Sequence, residues 1–211
     1  SGWNEMCWDG IGKEYRWIKG ICGGEISYYT SNDQKNFLNP KGMYGWTWEA
    51  AAAKYHISYM LASSAPGGKY ATVERFREAG IASGYSFRVS NCRTNGSETR
   101  LTVSNQGIAP IYRDAYFAIG NVQSDISLRG LLPGKGLDIV IPAALVDADD
   151  LQIVSPYILP TQKIEFETGE FTAVDNVEVP YSSAVKQLKD GQIVIIRNNC
   201  KYTLMGQMID K

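Results

Sequence analysis

The chain has 211 residues, a hydrophobic content of 44% and a formal net charge of -1, from 21 basic and 22 acidic residues. This length permits one large domain or two small ones, and the near-neutral charge gives no field that would attract nucleic acid or anionic lipid. The longest apolar runs, such as residues 139–146 and 193–196, are far shorter than the roughly 20 residues of a membrane-spanning helix. We therefore expect a soluble globular protein that neither binds nucleic acid nor spans a membrane.

The first part of the chain, residues 1–83, alternates apolar runs with helix-like stretches. After an aromatic-rich lead, residues 18–29 are interpreted as one strand, in which Gly23 and Gly24 allow a second strand to approach closely. Residues 56–62 are interpreted as that second strand. A helical pattern follows each of them, so this part contains two strand-helix units.

Both predicted helices have recognisable ends. Thr47 is a good N-cap for the alanine-rich run that continues to Tyr55. Residues 72–79 have apolar side chains at helical spacing, and Gly80 ends the pattern. Two strand-helix units are too few to close a βα barrel or to build a doubly wound sheet, so residues 1–83 resemble the end of a larger structure.

The pattern changes at Gly84, after which short strands separated by turn residues replace the helices. Apolar and polar residues alternate in residues 85–90 and 100–103, and an Asn-Gly dipeptide between them predicts a hairpin loop of two or more residues. The strand spacing predicts an antiparallel, immunoglobulin-like β-sandwich over residues 84–176. Five further strand candidates lie at residues 111–119, 125–128, 137–141, 151–155 and 164–174.

Residues 177–211 form the third predicted segment, a C-terminal β-hairpin tail. Its strands are residues 192–197 and 201–205, and Asn198 and Asn199 supply the turn. The fold class predicted for the chain is α+β and mainly β. It combines a partial βα, TIM-barrel-like segment with a β-sandwich and a terminal hairpin.

Several short motifs resemble an uncharacterised domain family that follows a glycosidase-like TIM barrel in secreted bacterial proteins. The motifs are residues 84–88 (GYSFR), 100–110 (RLTVSNQGIAP), 112–113 (YR) and 23–25 (GGE), and the helix before residues 56–59 (HISY). Residues 189–198 and 202–207 resemble the short C-terminal β tails of exported proteins from gut-type bacteria.

The resemblance implies a position within a larger protein. Residues 1–83 would be the last quarter of a barrel, with the β-sandwich packed beside it and the rest of the barrel upstream in the same native chain. Because most of that barrel is missing, the resemblance does not assign the family's activity to this chain. It implies a bacterial protein that is secreted, periplasmic or on the cell surface.

Glu25 follows two glycines at the end of the first predicted strand, where a βα-barrel enzyme places its acids. Glycoside hydrolysis requires two carboxyl groups about 5 to 9.5 Å apart. Glu49 and Asp33 are the nearest others in sequence, but Glu49 falls in a predicted helix and Asp33 in a loop. Glu25 is thus a candidate catalytic carboxylate without an identified partner. A structural or solvated glutamate is the commoner alternative.

The tryptophans are candidate ligand-binding residues, because flat aromatic rings stack on sugar faces. Trp46 and Trp48 lie where the chain enters the first predicted helix, and Trp17 directly precedes the first predicted strand. Polysaccharide is the partner class that these three residues indicate. Packing in a core or an interface is the favoured alternative, and exposure alone would not establish binding.

No metal or cofactor is predicted. His56 is the only histidine, which excludes a two-histidine metal site, and its place at a helix-to-strand junction favours a packed, hydrogen-bonded role. Cys7, Cys22, Cys92 and Cys200 are too widely spaced for a zinc or thioredoxin-like motif. Disulfides, with Cys7–Cys22 as the pair that would restrain the N-terminal segment, and buried free thiols both stay open.

Three functional classes remain. The chain is a non-catalytic accessory or carbohydrate-binding module, a fragment of a glycoside hydrolase that uses Glu25, or a structural or export-related domain. The accessory class is favoured, because the β-rich part is complete while the part that would carry catalysis is not.

Overall fold

In a computed structural model, the chain forms two compact units, Ser1–Ala173 and Val174–Lys211. The structure describes residues 2–25, 30–61, 69–169, 185–189, 192–197, 200–202 and 208–210. Strands outnumber helices among them and belong to several sheets, so the class is α+β and mainly β, as the sequence predicts. The boundary predicted at Gly84 lies inside the first unit.

The α-helices of the described chain all precede Gly84 in sequence. They are α1 (Gly2–Gly10), α2 (Arg16–Lys19), α3 (Ser31–Asn36), α4 (Trp48–Tyr55) and α5 (Val73–Ile81). The hydroxyls of Thr47 and Thr72 each accept a hydrogen bond of 3.2 Å from a backbone N–H in the first turn of α4 and α5. Both predicted helices are therefore confirmed. None of the described helices has the length and apolar character that a membrane crossing requires.

Tertiary contacts explain the helices that the sequence does not predict. α1 lies in the aromatic-rich lead, and it contacts α4 through a Glu5–Lys54 ion pair and an edge-to-face contact of Trp8 with Tyr55. The strand predicted at residues 18–29 is wrong at its start, because residues 18 and 19 belong to α2. Short helices of this kind depend on packing rather than on propensity.

Two parallel strands, β1 (Cys22–Glu25) and β2 (Ile57–Leu61), form a separate two-stranded sheet. α3 and α4 lie between them in sequence, and α5 follows β2, so both predicted strand-helix units are present. Gly23 lies opposite Tyr59, and a Cβ at this position would collide with the Tyr59 carbonyl oxygen. The predicted close approach at the glycine pair is confirmed.

Residues 85–169 form two sheets. The first sheet has the order β7-β4-β3-β9, and the second has the order β6-β5-β8. These strands are β3 (Phe87–Thr94), β4 (Thr99–Asn105), β5 (Tyr116–Ile119), β6 (Val122–Gln123), β7 (Gly136–Ile141), β8 (Leu151–Val154) and β9 (Phe166–Thr168). A 3-10 turn, Ala148–Asp150, precedes β8.

The pairing differs from the sequence prediction in two places. β9 pairs with β3 in parallel, because the connection after β8 crosses from one sheet to the other, so the sheets are not antiparallel throughout. Residues 125–128 are not a strand. Instead the N–H of Leu128 donates to the carbonyl oxygen of Ala115 at 2.8 Å, and β6 forms a short pair with β5.

One hydrophobic core lies between the two sheets. Alternate residues of β3 and β4 point into it from one side, and residues of β5 and β8 enter from the other. Phe117 is fully buried at its centre and makes an edge-to-face contact with Phe166, with ring centroids 5.1 Å apart. All members of this core lie in residues 85–166.

Asn105 organises the turn that follows β4. Its side chain is fully buried, and its amide nitrogen donates to the carbonyl oxygens of Ala109 (2.9 Å) and Leu131 (2.8 Å). Its carbonyl oxygen accepts from the N–H groups of Ser86 and Gly107. This side chain therefore joins four backbone positions in the sandwich.

The second unit contains an antiparallel sheet of four strands in sequence order. They are β10 (Val185–Lys189), β11 (Gln192–Arg197), β12 (Cys200–Tyr202) and β13 (Met208–Asp210). The predicted hairpin is confirmed as the β11–β12 pair. The turn predicted at Asn198 and Asn199 lies outside the described residues.

Candidate functional site

Glu25 is the last residue of β1, and it lies opposite Leu61 at the carboxyl end of the parallel pair. Its side chain is exposed. The structure thus places Glu25 at the strand end where a βα-barrel enzyme would carry an acid.

The two other carboxylates considered with Glu25 have structural partners. Glu49 forms an ion pair of 2.6 Å with Arg75, and the hydrogen bond from this guanidinium lowers the pKa of Glu49. Asp33 is buried, and the Tyr44 hydroxyl donates to it at 2.8 Å. Glu49 and Asp33 therefore stabilise the helical part of the first unit.

Trp17 and His56 are packed against each other. Their rings stack in parallel, with centroids 3.7 Å apart. Nδ1 of His56 donates to the carbonyl oxygen of Ile108 at 2.5 Å, and the carbonyl oxygen of Trp17 accepts from the Tyr112 hydroxyl. Both residues thus join the N-terminal region to the segment after β4, and His56 has the packed, hydrogen-bonded role that the sequence favours.

Trp46 and Trp48 have different surroundings. Trp48 is half-buried, and its indole N–H donates to the carbonyl oxygen of Ala79 at 2.9 Å. Trp46 is 43% exposed, and the Lys54 ammonium lies 4.7 Å from its ring centroid. Trp48 therefore packs between α4 and α5, while a sugar on this face of Trp46 would have to displace Lys54.

Cys7, Cys22 and Cys92 are free thiols. Cys7 is exposed, Cys22 is half-buried and Cys92 is buried, so no Cys7–Cys22 disulfide is present. Burial raises the pKa of the Cys22 and Cys92 thiols, which makes both less reactive. Among the described residues, no group of three or more His, Cys, Asp or Glu side chains is placed to hold a metal ion.

A cleft of about 750 Å³ lies between the end of the βα segment and the sandwich. Its lining comes from the α2–β1 connection, β2, the segment after α5 and three loops of the sandwich. Among the described residues, Lys19, Arg113 and Arg129 are the charged side chains of this lining, and no Asp, Glu, His or Cys contributes to it. The cleft is therefore positively charged in a chain whose net charge is close to zero.

Three tyrosines, Tyr85, Tyr112 and Tyr157, also line the cleft. Tyr157 is 58% exposed, while Tyr85 and Tyr112 are half-buried. Burial raises the pKa of Tyr85 and Tyr112, so both phenols are neutral at pH 7. The aromatic side chains thus add flat surface and hydroxyl groups without adding negative charge.

A second cavity, of about 570 Å³, lies between β8 and the segment that leads to β9. Its lining includes Asp149, Lys163 and Glu165 beside the apolar residues of β8. Both signs of charge are present in this cavity. The cleft, with charges of one sign and three aromatic rings, is the more distinctive site.

Sequence reasoning did not identify the residues of the cleft. Tyr112 and Arg113 occur in the motifs that carry the family resemblance, but the sequence pattern around them predicts no binding or catalytic role. Arg129 and Tyr157 lie in loops without any local signal. Comparisons of the chain with protein-family models, with curated proteins and with solved structures found no match.

Proposed function

We propose that this chain is a non-catalytic accessory module of a secreted, glycoside-hydrolase-like bacterial protein, and that it binds polysaccharide in the cleft beside the sandwich. In this proposal the two sheets of residues 85–169 form an immunoglobulin-like domain, and β1 and β2 are the end of a TIM barrel. The site of action is the periplasm, the cell surface or the medium.

The composition of the cleft carries the binding proposal. Sugar-binding sites combine aromatic faces with hydrogen-bonding groups. The tyrosines supply the aromatic faces, and the hydroxyls of Ser83 and Ser155, which donate to backbone carbonyl oxygens, can each accept a hydrogen bond. Hydrolysis of a glycosidic bond requires two carboxyl groups on either side of it. Because no carboxylate of the described residues lines the cleft, this site supports binding rather than hydrolysis.

The parallel sheet supports the barrel part of the proposal. Parallel sheets are normally covered on both faces, and two strands alone are not stable. Among the described residues, β1 and β2 pair only with each other. Ile21, Leu61 and Ile81 near these strands are each more than 60% exposed, at 62%, 62% and 66%. Further strands and helices of a barrel would cover such surfaces.

Isothermal titration calorimetry against a panel of soluble neutral and acidic polysaccharides tests the binding proposal. We expect a Tyr157→Ala variant to lose most of the affinity. Tyr15→Ala is the matched control, because Tyr15 is also 58% exposed and does not line the cleft. Equal losses of affinity in the two variants would contradict the proposal. Absence of binding heat with every glycan would also contradict it, and would favour a structural or export-related domain.

The exposure of Glu25 at a strand end favours one alternative, a glycoside hydrolase fragment. Release of reducing ends from the same polysaccharides measures this activity directly. Hydrolysis by the wild-type chain that a Glu25→Gln variant loses would replace the accessory proposal. No release by either protein is the outcome expected of an accessory module.

A further inference from the structure

We propose that the cleft selects acidic saccharides, with Arg113 and Arg129 binding the carboxylate or sulfate group of a sugar unit. This inference rests on the carbohydrate-binding function proposed above and adds the charge of the ligand. It follows from the charged groups of the lining, all of which are cations.

The cleft arginines lack the close acidic partners that Arg75 and Arg100 have. Among the described residues, Arg129 approaches one carboxylate, that of Asp114 at 3.9 Å, whereas Arg100 contacts Glu98 at 2.8 Å. Within the part of the chain that the structure describes, Arg113 has no carboxylate partner, and its guanidinium lies 5.0 Å from the ring centroid of Tyr157. These two cations are therefore available to an anion from solution.

Backbone hydrogen bonds pair the two segments that carry Arg113 and Arg129. The carbonyl oxygens of Ile111 and Ala115 accept from the N–H groups of Gly130 (2.9 Å) and Leu128 (2.8 Å). Arg113 and Arg129 thus lie at the middle of two paired segments. A site built on a fixed backbone loses less conformational freedom on binding, which favours affinity.

A third contact fixes the aromatic surface beside them. The Ser155 hydroxyl donates to the carbonyl oxygen of Asp114 at 2.6 Å, which holds the loop that carries Tyr157 against the Arg113 segment. A guanidinium binds carboxylate or sulfate oxygens through two parallel hydrogen bonds, and an aromatic face binds the ring of the sugar. The Arg113 guanidinium and the Tyr157 ring together therefore match a sugar ring that carries an anionic substituent.

Nucleic acid is the other polyanion with rings, but the structure favours it less. Nucleic-acid binding uses many phosphate contacts along an extended basic surface. Here three cations lie in one cleft, and the chain as a whole has a net charge of -1. A saccharide with a local negative charge fits this distribution better.

The test compares three polymers by calorimetry with the full chain: a neutral galactan, polygalacturonate as the uronate, and a sulfated galactan. The variants are Arg113→Gln and Arg129→Gln. Arg100→Gln is the control, because its side chain is 67% exposed and that of Arg129 is 62% exposed, and each has an acidic neighbour. A single-stranded oligonucleotide is the fourth ligand.

We expect at least one acidic polymer to bind about tenfold more tightly than the neutral galactan, because charge-assisted hydrogen bonds are stronger than neutral ones. Each cleft variant should weaken acidic binding by about tenfold, a larger loss than for the neutral galactan, with an unchanged circular dichroism spectrum. Arg100→Gln should behave as wild type. Raising the salt from about 0.05 M to about 0.5 M should reduce the acidic preference. The uronate and sulfate arms identify which anion is preferred.

Several results would overturn the inference. Equal binding of neutral and acidic polymers, lost in Tyr157→Ala but not in the arginine variants, would leave the carbohydrate-binding proposal intact and remove the charge selection. Equal losses of acidic binding in Arg100→Gln and the cleft variants would mean that Arg113 and Arg129 do not form a specific anion site. Tighter binding of the oligonucleotide than of any saccharide would mean that the cleft binds nucleic acid. Absence of binding to every polysaccharide would contradict the proposed function itself.

Discussion

The two regions of the first unit differ in how completely they bury their own apolar surface. Residues 85–169 enclose a core with large side chains from both sheets, such as Phe87, Phe117 and Ile139. The described buried hydrophobic residues of the region before Gly84 are mostly small: Leu38, Ala52, Ile57, Ala71 and Ala79. Exposed positions there include Ile21, Leu61, Val73 and Ile81.

The sandwich therefore forms its own core, whereas the described part of the region before Gly84 buries few large apolar side chains. Burial of large apolar side chains provides most of the stability of a folded domain. The sandwich should therefore hold most of the free energy of unfolding of the first unit.

The largest effect is expected from Phe117→Ala. Removing a fully buried ring should lower the free energy of unfolding by about 3 to 5 kcal/mol, through lost burial and the cavity that remains. Phe76→Ala is the counterpart in the N-terminal region, where the ring is half-buried; it should cost about 1 to 2 kcal/mol. Urea unfolding followed by circular dichroism measures both. Equal losses would mean that the two regions contribute alike.

Asn105→Ala should have the next largest effect. The substitution leaves buried carbonyl and N–H groups of four backbone positions without their partner, and it should destabilise the protein by about 3 kcal/mol. Gln106→Ala is the control, since that neighbouring side chain is exposed. Thermal unfolding of the two variants compares them. A small shift for Asn105→Ala would indicate that water replaces the lost hydrogen bonds.

Gly107→Ala tests the contact between the two regions. A Cβ at this position would lie 2.5 Å from the carbonyl oxygen of Gly84 and from the nitrogen of Ser86, so the backbone must move. We expect a loss of about 1 to 3 kcal/mol. Gly96→Ala is the control, because nothing lies within 4 Å of its Cβ position. Hydrogen exchange at β2 should rise in Gly107→Ala alone, and unchanged exchange there would show that the regions are not coupled at this glycine.

The smallest effect concerns pH. The hydrogen bond from Arg75 lowers the pKa of Glu49 in the folded protein. The Glu49–Arg75 ion pair therefore contributes to the free energy of unfolding at neutral pH, above the unfolded-state pKa of about 4.3. This contribution is lost as the pH falls through the folded-state pKa. The Glu49 side chain is 43% exposed, which limits the contribution to less than about 1 kcal/mol. Glu49→Gln should reduce the loss of stability between pH 7 and acidic pH, measured by denaturant unfolding at each pH.

The elements that the sequence predicts correctly are those stabilised by interactions between residues close together in the chain. α4 and α5 could be predicted, because a threonine cap and helical spacing act within one or two turns. The β3–β4 hairpin could also be predicted, since the alternation of apolar residues marks the inner face of each strand. α1 could not, because it is held by contacts of Glu5 and Trp8 with α4, far along the chain.

The candidate site shows the same limit. Glu25 lies at a strand end as predicted, and the sequence alone indicated the glycine pair before it. Trp17 and Trp48 are typical of carbohydrate sites by residue type, yet their rings or N–H groups are used in packing. The cleft could not be predicted, because its lining comes from six separate parts of the chain.

The sequence by itself determined the α+β class, the change of pattern at Gly84, the two strand-helix units and the terminal hairpin, since each depends on neighbours a few residues away. Only the tertiary structure decided the parallel pairing of β9 with β3 and the helical turn at α2. It also placed Arg113, Arg129 and Tyr157 around one cleft. These features require segments that are distant in the chain to meet, and local propensity carries no information about which distant segments do so.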